Sequence, residues 1–222
     1  DQDDWSTSGT MEIGKYDPAK DKVEMKQIYD GVTKHHAMFV ARNKEGFDDL
    51  YFGGTEGVFR ATCKDGKWNI EHLLSVPTSD IVYMDLDGDG KEELAIIEEF
   101  HGNKAVVFKK LGAGMERMVE ISLSFGHVLW GGQFFGRPAL ITGSRAGDKT
   151  LRKFTFTCDG EGRTQIEEET VLDEGQAPAQ IFVTGDAKES IVVAANHGVA
   201  TMAEYRCTEA RKTVNDLHRS RS

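Results

Sequence analysis

The stretch "DLDGDGKEEL", Asp85 to Leu94, sets carboxylates at Asp85, Asp87 and Asp89, a glycine at Gly90 and a further acid at Glu93. Alternate acids at this spacing let a short loop wrap a hard cation in oxygen, and Lys91 is placed to add its backbone carbonyl. A helix-loop-helix calcium site also needs a bidentate Glu at the twelfth position, which here is Ile96 inside an apolar run. The loop is therefore of another kind. Because clustered carboxylates repel one another without a cation, the spacing predicts Ca2+ held by Asp85, Asp87, Asp89, Lys91 and Glu93. The ion would pin a turn between two strands.

Histidine is the second residue type with chemistry to offer, and there are seven. Imidazole with carboxylate binds transition metals, and imidazole beside Arg combines proton transfer with charge stabilisation. Which histidines can act together depends on the elements that carry them.

Those elements read as strands. The chain has 24 glycines and only 4 prolines, with Val, Ile, Thr and Phe in short runs bounded by Gly, Asp, Asn and Lys. No dozen residues keep a helical apolar period without a glycine; the polar tail "TEARKTVNDLHRSRS" is the one stretch that reads as a possible helix. Four segments, beginning at "HAMFV", "DIVYM", "HVLWG" and "AQIFV", lie over one another as strand, turn, apolar strand, glycine turn, strand, turn and strand. The glycine turns fall at Gly57, Gly102, Gly147 and Gly198. Third strands end at Cys63, Leu111, Cys158 and Cys207, in steps of 48, 47 and 49 residues.

Four short strands at a period near 50 predict an all-β fold, a β-propeller of four-stranded antiparallel blades. The repeats are 34–79, 80–126, 127–177 and 178–222, and residues 1–33 read as the last two strands of a partial blade. About four and a half blades do not close a ring in an obvious way. The expectation is part of a longer propeller, with a ring closed by exchanged terminal strands as the alternative. Equivalent positions in neighbouring blades are too far apart for a disulfide, so Cys63, Cys158 and Cys207 are expected as free thiols. That leans toward a reducing, cytoplasmic setting.

Composition narrows the partners. With 37 acidic and 27 basic residues the net charge is −10, which argues against nucleic acid and anionic membranes. No apolar run reaches the roughly 18 residues of a membrane-spanning helix, and "DQDDWSTSGT" does not read as a signal peptide. Membrane insertion is not expected.

The acidic loop with the strand after it resembles the D-x-D-G-D-G-x-x-E-L motif of FG-GAP or VCBS repeats, found in integrin-like propellers. That resemblance implies the calcium ligands named above. The other repeats lack the acid triplet, so one blade alone is expected to hold calcium. In a propeller, loops entering the first strand and loops joining the second to the third emerge around one mouth. There the register gathers His35, His36, Asp80, His127 and Trp130 with Thr55, Glu56, Phe100, His101, Ser144, Arg145, Asn196 and His197. Five of the seven histidines would face that mouth, while His72 and His218 would not.

Two functions follow. The first is a calcium-stabilised propeller that binds a carbohydrate or protein partner at its mouth, with Asp80, Glu56, Trp130 and Asn196 as contacts. The second follows related propellers that are lyases and dehydratases of uronic or keto sugars. His36, His127 and His101 or His197 would serve as metal ligands or bases, holding Mn2+, Zn2+ or Fe2+, with Arg145 on the substrate carboxylate. An incomplete ring favours the first. Absence of G-x-S-x-G, H-E-x-x-H and G-x-x-x-x-G-K-[ST] argues against hydrolase and nucleotide chemistry.

Overall fold

A computed structural model describes residues 5–42 and 48–208, and the backbone of 218–220. The chain is all-β and antiparallel. A hairpin of β1 (Gly9–Asp17) and β2 (Lys22–Val32) precedes four meanders, each a four-stranded sheet in simple sequential order. Sheet I holds β3 (Ala37–Ala41), β4 (Asp49–Gly54), β5 (Gly57–Lys64) and β6 (Lys67–Leu74). Sheet II holds β7 (Thr78–Met84), β8 (Glu93–Glu98), β9 (Lys104–Leu111) and β10 (Gly114–Ser122). Sheet III holds β11 (Gly126–Phe134), β12 (Arg137–Ser144), β13 (Leu151–Cys158) and β14 (Thr164–Asp173). Sheet IV holds β15 (Pro178–Gly185), β16 (Glu189–Asn196), β17 (Thr201–Thr208) and β18 (His218–Ser220). The first strands form a row: β7 lies against β3 and β11, and β11 against β15.

Side chains alternate between strand faces, and here both faces of the inner strands are covered. On β8, Leu94 and Ile96 join a core shared with Ala37, Tyr51 and Val58 of sheet I, while Ala95 and Ile97 join one shared with Leu129, Leu140 and Phe154 of sheet III. Double burial explains why "ELAII" reads as a continuous apolar run. A third core lies between sheets III and IV, and a fourth between the hairpin and sheet I. Outer strands such as β14 are mostly exposed, which matches their polar sequences.

The three cysteines are free thiols. Among the described residues the only helical element is the short 3-10 turn His197–Val199, and no helix is long and apolar enough to cross a membrane. The possible tail helix falls largely on 209–217, outside the described residues; His218–Ser220 is a strand.

One regularity was not visible in the sequence. Three first strands skip one residue near their start: pairing with the second strand passes over Ser79 in β7, His127 in β11 and Ala179 in β15. Such a bulge releases backbone groups from the ladder and re-aims a side chain. These three positions, with His36 just before β3, are equivalent in the repeat, so the counterpart of His36 in sheet II is Ser79 and not Asp80, where the sequence repeat had set it.

Candidate functional site

His36 precedes β3, His101 lies in the turn from β8 to β9, and His127 is the bulged residue of β11. Strand entries and turns between second and third strands share one end of a meander, so three successive sheets each send one imidazole to the same place. The His36 ring meets those of His101 and His127 edge-on, with centroids 5.2 and 5.8 Å away, and His101 stacks on His127 at 4.9 Å. One ring nitrogen from each lies within 4.8 Å of the other two.

The bulges fix which nitrogens these are. His36 donates from Nδ1 to Ser79 O at 2.7 Å, and His127 from Nδ1 to Ala179 O at 2.8 Å. A carbonyl can only accept, so each Nδ1 carries the proton and each neutral ring presents the lone pair of Nε2. Ser79 acts twice, since its Oγ also accepts the His101 N–H at 3.2 Å. His101 Nε2 is buried and has no hydrogen-bond partner. Metal-binding imidazoles characteristically donate their other nitrogen to a carbonyl or carboxylate. The trio therefore fits a divalent transition metal.

Electrostatics agree. Burial, reinforced by repulsion from His127, His36 and Arg145, pushes His101 down to about 4. His127 is also lowered, first by burial and then by Arg145 and His36, against the opposing pull of its bond to Ala179. Both rings stay neutral at neutral pH and available as ligands. Glu99, His101 and Phe125 take φ of 67°, 52° and 58°, the left-handed region that turn residues such as Asp21, Asp65, Phe135 and Lys149 also adopt elsewhere in the chain. Gly102 closes the turn because a Cβ there would lie 1.7 Å from Glu98 O.

Around the trio stand aromatic and cationic groups. Phe100 stacks on His101 at 4.1 Å, and Phe125 lies tilted against it at 4.6 Å. Arg145 lies over Phe125 and donates from Nη2 to His197 Nδ1 at 2.9 Å, so His197 reaches the group only through Arg145. His36, Asp80, His127 and Trp130 line a cleft of about 430 Å³. Asp80 accepts from Ile81 N at 2.9 Å and Leu129 N at 3.1 Å, tying β7 to β11; burial nonetheless pushes its carboxyl up to about 7. Trp130 also packs on the core between sheets III and IV.

Other expected mouth residues are engaged elsewhere. Glu56 takes two bonds from Thr33, its N–H at 2.8 Å and its hydroxyl at 2.6 Å. His35 packs on Phe52. Asn196 is buried with both side-chain amide atoms unpartnered, but it does not line the cleft. His72, as expected, stays outside the group and donates to Glu56 O at 3.0 Å.

The acidic loop runs from β7 to β8, at the opposite end of sheet II from His101. Asp85 accepts from Gly88 N at 2.7 Å and Gly90 N at 3.0 Å, Asp89 from Lys91 N at 2.9 Å, and Glu93 from Leu86 N at 2.7 Å. Ligand atoms of Asp85, Asp87 and Glu93 lie within 4.8 Å of one another, a span that suits one cation. A cation already stands among the acids. Lys109 Nζ, on β9, lies 2.6 Å from Asp87, 2.9 Å from Asp89 and 2.9 Å from Glu93, and its side chain is fully buried. Sequence reading missed this lysine, because "FKK" at a strand end looks solvated. Its one signal was parity: Lys109 continues the series Ala105 and Val107, which faces sheet III.

No protein-family model matches the chain, and no curated protein matches it.

Proposed function

We propose that this chain is a β-propeller module of the FG-GAP or VCBS type whose mouth is a metal-dependent site for uronic or keto sugars, of the lyase or dehydratase class. The row of first strands, and the cores between neighbouring sheets, support the propeller reading. The observation that carries the functional reading is the trio His36, His101 and His127: three imidazoles from three sheets, with His101 Nε2 buried and unpartnered. A divalent metal there would supply Lewis-acid polarisation of a carbonyl or carboxylate oxygen. Arg145, beside the trio, orients an anionic substrate by charge-assisted hydrogen bonds. Asp80 lines the adjoining cleft and titrates near neutrality, so it is the group suited to accept a proton.

Zinc, manganese and iron titrations by calorimetry and elemental analysis test this reading. One tightly bound equivalent is expected, lost in His36→Ala and His127→Ala, together with formation of a conjugated double bond in uronate oligosaccharides followed by ultraviolet absorbance. A chain that takes up no transition metal would refute it. A second reading is a carbohydrate-binding module without turnover, which Trp130 and Gln180 in the cleft favour. Binding of sugar with no product would select it.

A further inference from the structure

We propose that Lys109 is the resident cation of the Asp85–Glu93 loop: a tethered ammonium stands where loops of this spacing hold calcium, and the loop folds without a metal ion. The basis is position and donor count. Lys109 Nζ contacts three of the four candidate carboxylate ligands, and Lys109, Asp87 and Glu93 are all without side-chain exposure. A calcium ion among the same oxygens would face a full positive charge a few ångströms away, and burial leaves little water to screen the repulsion.

Other donors reach Asp87, Asp89 and Asp85, while Glu93 Oε1 is buried without a hydrogen bond and has the Lys109 ammonium 2.9 Å away. Asp87 Oδ2 also accepts the Thr164 hydroxyl at 2.6 Å, and Asp89 Oδ2 lies 3.6 Å from the Cys158 thiol. Asp85, the one acid that does not touch Lys109, is satisfied by the amides of Gly88 and Gly90. Burial alone would favour the neutral amine, but Asp87, Glu93 and Asp89 outweigh it and hold Lys109 charged. Lys109 in turn holds Asp89 below the usual carboxylate range. Because Cys158 and Thr164 belong to sheet III, the same cluster also joins sheet II to its neighbour, beyond the turn-pinning role expected of the metal.

The test compares wild type, Lys109→Met and Asp85→Asn by thermal unfolding in chelator and in millimolar calcium, with terbium luminescence as a direct probe of the loop. Wild type and Asp85→Asn are expected to show no calcium-dependent change in Tm and no terbium signal. Lys109→Met, stripped of its charge, is expected to lose stability in chelator, to regain it with calcium by several degrees, and to acquire a terbium signal. A wild-type Tm that falls on chelation, or stoichiometric calcium binding to wild type, would overturn the proposal. So would a Lys109→Met chain that keeps its stability in chelator and binds no terbium. Should Lys109→Met fail to fold, the wild-type and Asp85→Asn measurements decide alone.

Discussion

His36 donates its Nδ1 proton to the carbonyl of Ser79, 2.7 Å away, and these two residues occupy equivalent positions in successive sheets. The relation recurs between His127 and Ala179. In each case the carbonyl belongs to a residue that the strand ladder skips, so one sheet's bulge fixes a ring contributed by another. The site is held by defects of pairing, placed at the same point of the repeat.

The orphaned nitrogen of His101 should cost stability. A buried, unsatisfied polar atom is worth about 1–3 kcal/mol, and the ring already packs against Phe100 and Phe125. His101→Phe is expected to raise the Tm of the metal-free protein by about 2–4 °C per kcal/mol recovered, while abolishing transition-metal binding. An unchanged or lower Tm in metal-free buffer would show that the nitrogen has a partner in solution.

Asp80 gives stability a pH dependence of known sign. Its folded pKa is raised from the ordinary 3.8 to about 7, so between these values the folded chain binds the extra proton. The contribution is complete below about 4 and is lost as pH rises through about 7, with a slope of at most about 1.4 kcal/mol per pH unit. His36 and His127 line the same cleft. The difference between wild type and Asp80→Asn in urea midpoints at pH 5 and pH 8 therefore isolates the carboxyl; parallel profiles would remove Asp80 as the source.

At Gly131, β11 packs tightly against β7. A Cβ there would lie 2.2 Å from Val82 Cγ1 and 3.0 Å from Met84 Sδ. Gly131→Ala is expected to cost about 1–3 kcal/mol by overpacking, whereas Gly160→Ala, with open space around it, should be near neutral in the same denaturation assay. Equal effects would mean that the seam yields.

Tyr205 on β17 donates to Asp173 Oδ2 at the end of β14 at 2.6 Å, a buried bond between sheets IV and III. Removing the hydroxyl leaves the carboxylate one donor short, so Tyr205→Phe should destabilise by about 1.5–3 kcal/mol. Chemical denaturation at neutral pH measures it, and a loss under about half a kcal/mol would show that water replaces the hydroxyl.

Residue spacing made the four-strand repeat legible, because glycine turns and strand ends recur at nearly constant steps. It also placed His36 and His127 at equivalent strand starts and His101 in a turn on the same side, which foretold their meeting. His35, one residue from His36, was gathered with them but turns to Phe52, since strand-end orientation is set by packing rather than by register. The bulges were hidden because a single skipped residue leaves the repeat period intact. Lys109 was hidden for a different reason: a charge looks solvated until the acids that surround it, contributed by another strand and loop, are brought to it in three dimensions.

Every core layer among the described residues is shared by two neighbouring sheets, and none of them lies within a single one. A sheet taken alone would thus have no interior of its own. Folding free energy resides in adjacent pairs, so the chain behaves as a linear series of coupled units whose stability is a sum over neighbours. A damaging substitution in sheet II should propagate to sheets I and III before it reaches sheet IV, and amide exchange should report that gradient as graded protection along the sequence.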